Sequence, residues 1–106
     1  MKESLALDAL AALAHETRLK IVRLLVKAGQ EGLAAGDIAA RVGASSSRLS
    51  FHISALEHAG LVCSERQSRH IIYRARYDQL GQVIAYLMND CCAAHPAVCA
   101  CCTPKP

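Results

Sequence analysis

Two glycines, Gly43 and Gly60, bracket the segment that most restricts what this chain can become. Before the first, Asp37, Ile38, Ala39 and Val42 have the spacing of a helix of about two turns, and Gly43 stops it. Ala44 and the serines Ser45, Ser46 and Ser47 then supply a turn and an N-cap. Leu49, Ile53 and Leu56 form one apolar stripe of a second helix that Gly60 ends. A short helix, a Gly-containing turn and a second helix make a helix-turn-helix.

Beyond Gly60 the period changes. Leu61-Val62-Cys63 and Ile71-Ile72-Tyr73 are short β-like runs, and polar Glu65-Arg66-Gln67-Ser68-Arg69 between them predicts a hairpin with a basic tip. Asp78 is placed to cap a last helix along which Leu80, Val83, Ile84, Leu87 and Met88 share a face, with Cys91 and Cys92 continuing the stripe until Pro96 ends the register. Upstream, Leu5, Ala9, Leu10 and Leu13 predict a first short helix. A second follows, with Leu19, Val22, Leu25 and Val26 inward, Arg18, Lys20, Arg23 and Lys27 outward, and Gly29 at its end. Gln30 to Ala34 serve as a connector. The fold class expected is mainly α with a small β-hairpin, a winged helix-turn-helix. With 106 residues, no Trp and one Phe, the core is thin in large side chains, which favours a partner subunit. The expected division is a DNA-binding and dimerisation domain over residues 1–92 and a mobile Cys-rich tail over 93–106.

In a winged helix the second helix of the pair enters the major groove and the hairpin reaches the adjacent backbone or minor groove. The face at the start of that helix carries Ser46, Ser47, Arg48, Ser50, Phe51 and His52, and the wing carries Arg66, Gln67, Arg69 and His70. Hydroxyls suit phosphate and base-edge hydrogen bonds, and Arg48 suits guanine O6 and N7. Net charge is only +3, yet residues 41–76 hold six arginines against Glu57 and Glu65, a balance of +4 that leaves −1 for the remainder. A locally basic middle in a near-neutral chain points to double-stranded DNA.

Three stretches resemble the ArsR family of metalloregulatory repressors. Ala11-Ala12-Leu13-Ala14-His15-Glu16-Thr17-Arg18-Leu19-Lys20-Ile21-Val22 is similar to the family's opening motif, and Ser50-Phe51-His52-Ile53-Ser54-Ala55-Leu56-Glu57-His58-Ala59-Gly60-Leu61-Val62 to its recognition helix. Ile72-Tyr73-Arg74 resembles the strand that closes the wing. The resemblance runs from about residue 5 to about residue 90. It implies a homodimer built on the first and last helices that binds operator DNA in the cytoplasm.

The family's effector sites are absent. Ala34 and Gly36 occupy the positions of its Cys-x-Cys pair, and no His lies between Ile71 and Ala94 to build its last-helix zinc site. In their place, five of six cysteines crowd the last 16 residues: Cys91, Cys92, Cys99, Cys101 and Cys102. Thiolates are soft ligands. Cys91 and Cys92 project about 100° apart on a helix, and a third thiolate from Cys99, with Cys101 and Cys102 competing, would complete the pyramid that trivalent arsenic takes. The expectation is a repressor that holds its operator when apo and dissociates on binding arsenite or antimonite. The same fold sensing a methylated arsenical, cadmium, lead, zinc or thiol oxidation is the alternative, and an ion-scavenging module is a third. His95 is expected in solvent, and Cys63, in a β-like run, as a buried hydrophobe.

Other classes are excluded. No apolar run approaches the ~20 residues of a membrane span, and no secretory signal is visible, so clustered cysteines suggest metal or redox chemistry in the reducing cytosol rather than a disulfide framework. No carboxylate pair, phosphate-binding Gly loop or nucleophile–base arrangement suggests an enzyme.

Overall fold

The structure is a computed structural model. It describes the backbone of residues 1–91 and 93–102 and their side chains except at positions 90, 91, 101 and 102. In chain order the elements are α1 (Glu3–Leu13), α2 (Glu16–Ala28), a 3-10 turn (Gly29–Glu31), β1 (Leu33–Ala34), α3 (Ala35–Val42), α4 (Ser46–His58), β2 (Val62–Gln67), β3 (His70–Ala75), α5 (Tyr77–Tyr86), a π-type turn (Leu87–Cys91) and α6 (Pro96–Cys102). Mostly helix with a small antiparallel sheet, this is the winged helix-turn-helix that the sequence predicts.

The helix-turn-helix is α3 and α4. Gly43 adopts φ 69°, ψ 35° at the end of α3, a left-handed conformation that suits glycine, and the Ser45 hydroxyl caps α4. The core lies where α2, α3, α4 and the wing base meet, and Ile21, Leu25, Ile38, Leu56 and Leu61 are its fully buried large side chains. Each contributes roughly 1.5–3 kcal/mol of burial.

Several elements differ from the sequence expectation. The wing strands are longer than predicted: β2 pairs with β3 from Val62↔Ala75 to Gln67↔His70. Glu65, Arg66 and Gln67 therefore belong to a strand, and the tip narrows to Ser68 and Arg69. The expected connector ends in β1, which pairs with β3 through Leu33↔Tyr73 and Ala34↔Ile72, so the sheet has three strands in the order β1-β3-β2. Two residues carry too short a pattern to register as a strand. Cys63 is exposed, not buried, because in this register Val62 takes the inward side of the pleat.

The inward faces of α1 and α2 are also rotated from the expectation. On α1 the buried residues are Ala6, Ala9 and Ala12, while Leu5 and Leu7 are exposed. On α2 they are Ile21, Val22 and Leu25, while Leu19 and Val26 face outward. On α5 only Val83 is buried. Asp78 sits in the first turn of α5 rather than at its cap, accepting from Arg76 Nη2 at 3.0 Å. That bond, a backbone N–H from Gln79 and the nearby Arg76 charge hold its carboxyl below the ordinary range. Pro96 opens α6 instead of simply closing a helix, as its missing N–H is harmless at a first helical position.

Candidate nucleic-acid interface and thiol segment

Helix α4 turns Leu49, Ile53 and Leu56 to the core, which leaves the opposite side for a ligand. Its N-terminus opens at Ser45, where Oγ accepts the backbone N–H of Arg48 at 3.4 Å and lies 3.4 Å from Ser47 Oγ. Ser46, Ser47, Arg48, Ser50 and Phe51 are all exposed, and Phe51 keeps 66% of its surface. They do not form one face. Ser46 and Ser50 border a cleft shared with Ala35, Gly36 and Tyr73, whereas Ser47, Arg48 and Phe51 border a second concavity with His15 and His52. The recognition helix therefore offers a hydroxyl flank toward the wing and a cationic, aromatic flank toward the start of α2.

His52 is the correction. Expected on the exposed face, it is buried, with 6% of its surface accessible, and its Nδ1 accepts from Arg18 Nε at 3.2 Å. The signal was present: His52 falls three residues after Leu49 and four before Leu56, on the apolar stripe. Burial pushes its pKa below the ordinary 6.5, and the nearby charges of His15, Arg18 and Arg48 push it the same way.

At the wing, Arg66, Gln67, Arg69 and His70 gather around the tip and are all exposed. Ser68 turns the chain at φ 56°, and its carbonyl accepts from Arg66 Nε at 3.5 Å. Two other arginines of the basic middle are committed elsewhere. Arg74 donates to Glu65 at 2.6 Å and to the Gln30 carbonyl, tying β3 to β2 and to the turn before β1, and Arg76 pairs with Asp78. The charge facing outward from this region is thus carried by Arg41, Arg48, Arg66 and Arg69. Tyr73, at the base of the cleft, has its phenol pKa raised by burial and by Glu57.

The thiol segment follows α5. Helix α5 widens into the π-type turn Leu87–Cys91, and the chain reverses through Ala93 and Ala94 at φ 50° and 51°, with Ala94 N–H donating to the Met88 carbonyl at 2.6 Å. His95 Nδ1 accepts from Ala97 N–H at 3.1 Å and so begins α6, on which Cys99 is half-buried. Cys92 and the side chains of Cys91, Cys101 and Cys102 lie outside the described residues. Among the described residues no three His, Cys, Asp or Glu side chains are grouped to hold a metal ion, and no helix is long and apolar enough to cross a membrane.

Comparison with known proteins agrees with this architecture. Residues 13–64 match a family described as a helix-turn-helix domain. The chain is 32% identical over 83 residues to the HTH-type transcriptional regulator YgaV of Escherichia coli K12, covering 78% of this chain and 82% of that protein. An ArsR-like transcriptional regulator from Rhodococcus sp. RHA1 superposes with a TM-score of 0.75 at 29% identity, covering 92% of this chain and 89% of that one. The homodimeric winged helix-turn-helix DNA-binding domain of a possible ArsR-family regulator from Mycobacterium bovis gives 0.65 at 30% identity, covering 79% and 81%. With the helix-turn-helix, the basic wing and these relatives in one frame, the chain belongs to the ArsR-type winged helix-turn-helix transcriptional regulators.

Proposed function

We propose that the protein is a cytoplasmic, homodimeric repressor that holds an inverted-repeat operator while its C-terminal thiols are free and releases it when they take up arsenite or antimonite. Residues Ser46, Ser47, Arg48, Ser50 and Phe51 would meet bases and phosphates, with Arg66, Gln67, Arg69 and His70 on the flanking backbone. Cys91, Cys92 and Cys99 would supply the three thiolates, with Cys101 and Cys102 as competing donors.

The observation that carries this reading is the continuity of α5 with the thiol segment. Helix α5 leaves Ile84 52% exposed and Leu80, Leu87 and Met88 only partly covered, beside an α1 that exposes Leu5 and Leu7. Such an apolar face calls for a second copy. Since the same helix runs into Leu87–Cys91 without a break, thiolate ligation there would pull on the interface helix. A shift in subunit packing changes the spacing of the two α4 helices, which has to match half-sites about one DNA turn apart. A coupling of about 1–3 kcal/mol is enough to lower operator affinity about 5–150-fold.

The test is fluorescence anisotropy of the reduced protein on its own promoter DNA, titrated with arsenite, then separately with cadmium and zinc, in wild type and Cys91→Ser. Release by arsenite that vanishes in the variant supports the reading. Release only by cadmium, by a methylated arsenical or by an oxidant moves the signal to that chemistry. Absence of DNA binding removes the repressor.

A further inference from the structure

Among the described residues His52 is the one buried polar side chain, and its surroundings join the recognition helix to α2. Arg18 Nε donates to Nδ1 of His52, so Nδ1 carries no proton and the imidazole is neutral. The Arg18 guanidinium carbon lies 5.6 Å from the centroid of the Phe51 ring, over its face. Phe51 in turn meets His52 edge-on at 5.6 Å and 71°. The His15 ring packs 4.5 Å from His52, and His15 is anchored by Thr17 N–H donating to its Nδ1 at 3.1 Å. One imidazole thus orients an arginine and, through it, the most exposed aromatic of α4.

We propose that His52 is a positioning residue of the DNA interface: its neutral ring holds Arg18 across Phe51, and a proton on Nδ1 dismantles that arrangement and weakens operator binding. The proposal rests on α4 being the helix that meets DNA. A proton taken from solvent converts Nδ1 from acceptor to donor and sets it against the donor of Arg18. The groups facing His52 are His15 from the turn before α2, Arg18 from α2, and Arg48 one turn earlier on α4. Asp8 of α1 and His58 of α4 border the adjoining cavity with Arg18. Every titratable group directly facing the imidazole is basic, so nothing there compensates an added charge. Once Arg18 turns away, its guanidinium no longer stacks on the Phe51 ring, and the cation–π attraction goes with it.

The sign separates this device from general electrostatics. Acidification makes a protein's net charge more positive, which on its own strengthens DNA binding. The experiment is anisotropy of the full-length reduced protein on its promoter duplex at constant ionic strength, from about pH 8 to about pH 5, where wild-type affinity is expected to fall about threefold or more. His52→Ala is expected to lose about as much at the upper pH. His52→Asn returns an acceptor near the Nδ1 position and should recover most of that loss without the acid-dependent fall. Arg18→Gln should be weak and flat across the range. Wild-type affinity that holds or rises on acidification overturns the proposal, as does His52→Asn retaining the wild-type profile. If circular dichroism shows the His52 variants unfolded, Arg18→Gln at its half-exposed position decides alone, and a wild-type profile there refutes the relay. A wild-type protein that binds no promoter DNA at any pH instead refutes the assignment of α4, and the relay with it.

Discussion

Ser45 Oγ accepts the backbone N–H of Arg48 at 3.4 Å, so the residue that caps the recognition helix also sets the backbone of its first cation. Replacing it removes the partner of one of the otherwise unsatisfied N–H groups that open the helix. Ser45→Ala is expected to lower unfolding free energy by about 0.5–1 kcal/mol, the lower part of the capping range because the bond is long. Urea denaturation reads the loss, and an unchanged midpoint would show that the cap contributes nothing.

Gly32 holds β1 against the wing. At φ 66° an added Cβ would run into the Tyr73 carbonyl oxygen and come within 2.7 Å of Ile72 Cγ2. Gly32→Ala should therefore destabilise by about 1–3 kcal/mol through backbone strain, plus the displacement of β1 from β3. Gly36, with nothing within 4 Å of its Cβ position, is the control: Gly36→Ala in the first turn of α3 should stabilise by about 0.4–1 kcal/mol. Thermal melts of the two variants should move in opposite directions.

The exposed stripe of α5 predicts an assembly defect. Ile84→Glu places a charge where a partner helix is proposed to pack, while Val83 beside it stays in the core. Sedimentation equilibrium should give the mass of one chain instead of two, with the circular dichroism spectrum unchanged. Operator affinity should drop because one half-site alone is then engaged.

Arg66 and Arg69 are assigned to phosphate, and salt dependence tests them. Each phosphate that the protein ceases to neutralise lowers the slope of log K against log salt by about 0.9. Arg66→Gln and Arg69→Gln should each reduce it by that amount, almost independently of DNA sequence. Arg74→Gln, whose partners are Glu65 and Gln30, should leave the slope alone and lower stability.

The fold itself should weaken in mild acid. His52 has a pKa below its ordinary 6.5 in the folded protein, so the unfolded chain binds that proton more readily and stability rises with pH in this window. The His52 contribution is complete above pH 6.5 and declines as pH falls from there toward the lowered folded-state value. His52→Asn should remove that portion of the slope in thermal melts, and an unaltered slope would assign it to other groups.

The helix-turn-helix was legible because it is punctuated locally. Gly43, the serine cap and the spacing of Leu49, Ile53 and Leu56 each act within a turn or two of chain, and the structure keeps all of them. The wing was legible as a hairpin but too short, since the alternation that marks strands fades where both faces are wet, as at Ser64 to Gln67. Strand β1 was not legible at all: its two residues are ordered by Ile72 and Tyr73, about forty positions away along the chain. The thiols stood out by composition alone, whereas their geometry depends on residues outside the described set.

Sequence by itself determined the order of α1 to α5 and the wing hairpin, the turn chemistry and the basic tip, because these follow from period, glycine placement and charge. It did not determine which face of α1 or α2 is inside. Helix α1 buries Ala6, Ala9 and Ala12 and exposes Leu5 and Leu7, contrary to their hydrophobicities, because small side chains let α1 lie close against α2, α4 and α5. His52 likewise is buried because Arg18 and His15 arrive from another helix and the turn before it. Periodicity states that a face is apolar; only the tertiary structure supplies the neighbour that covers it, and with it the bond that ties a histidine of the recognition helix to α2.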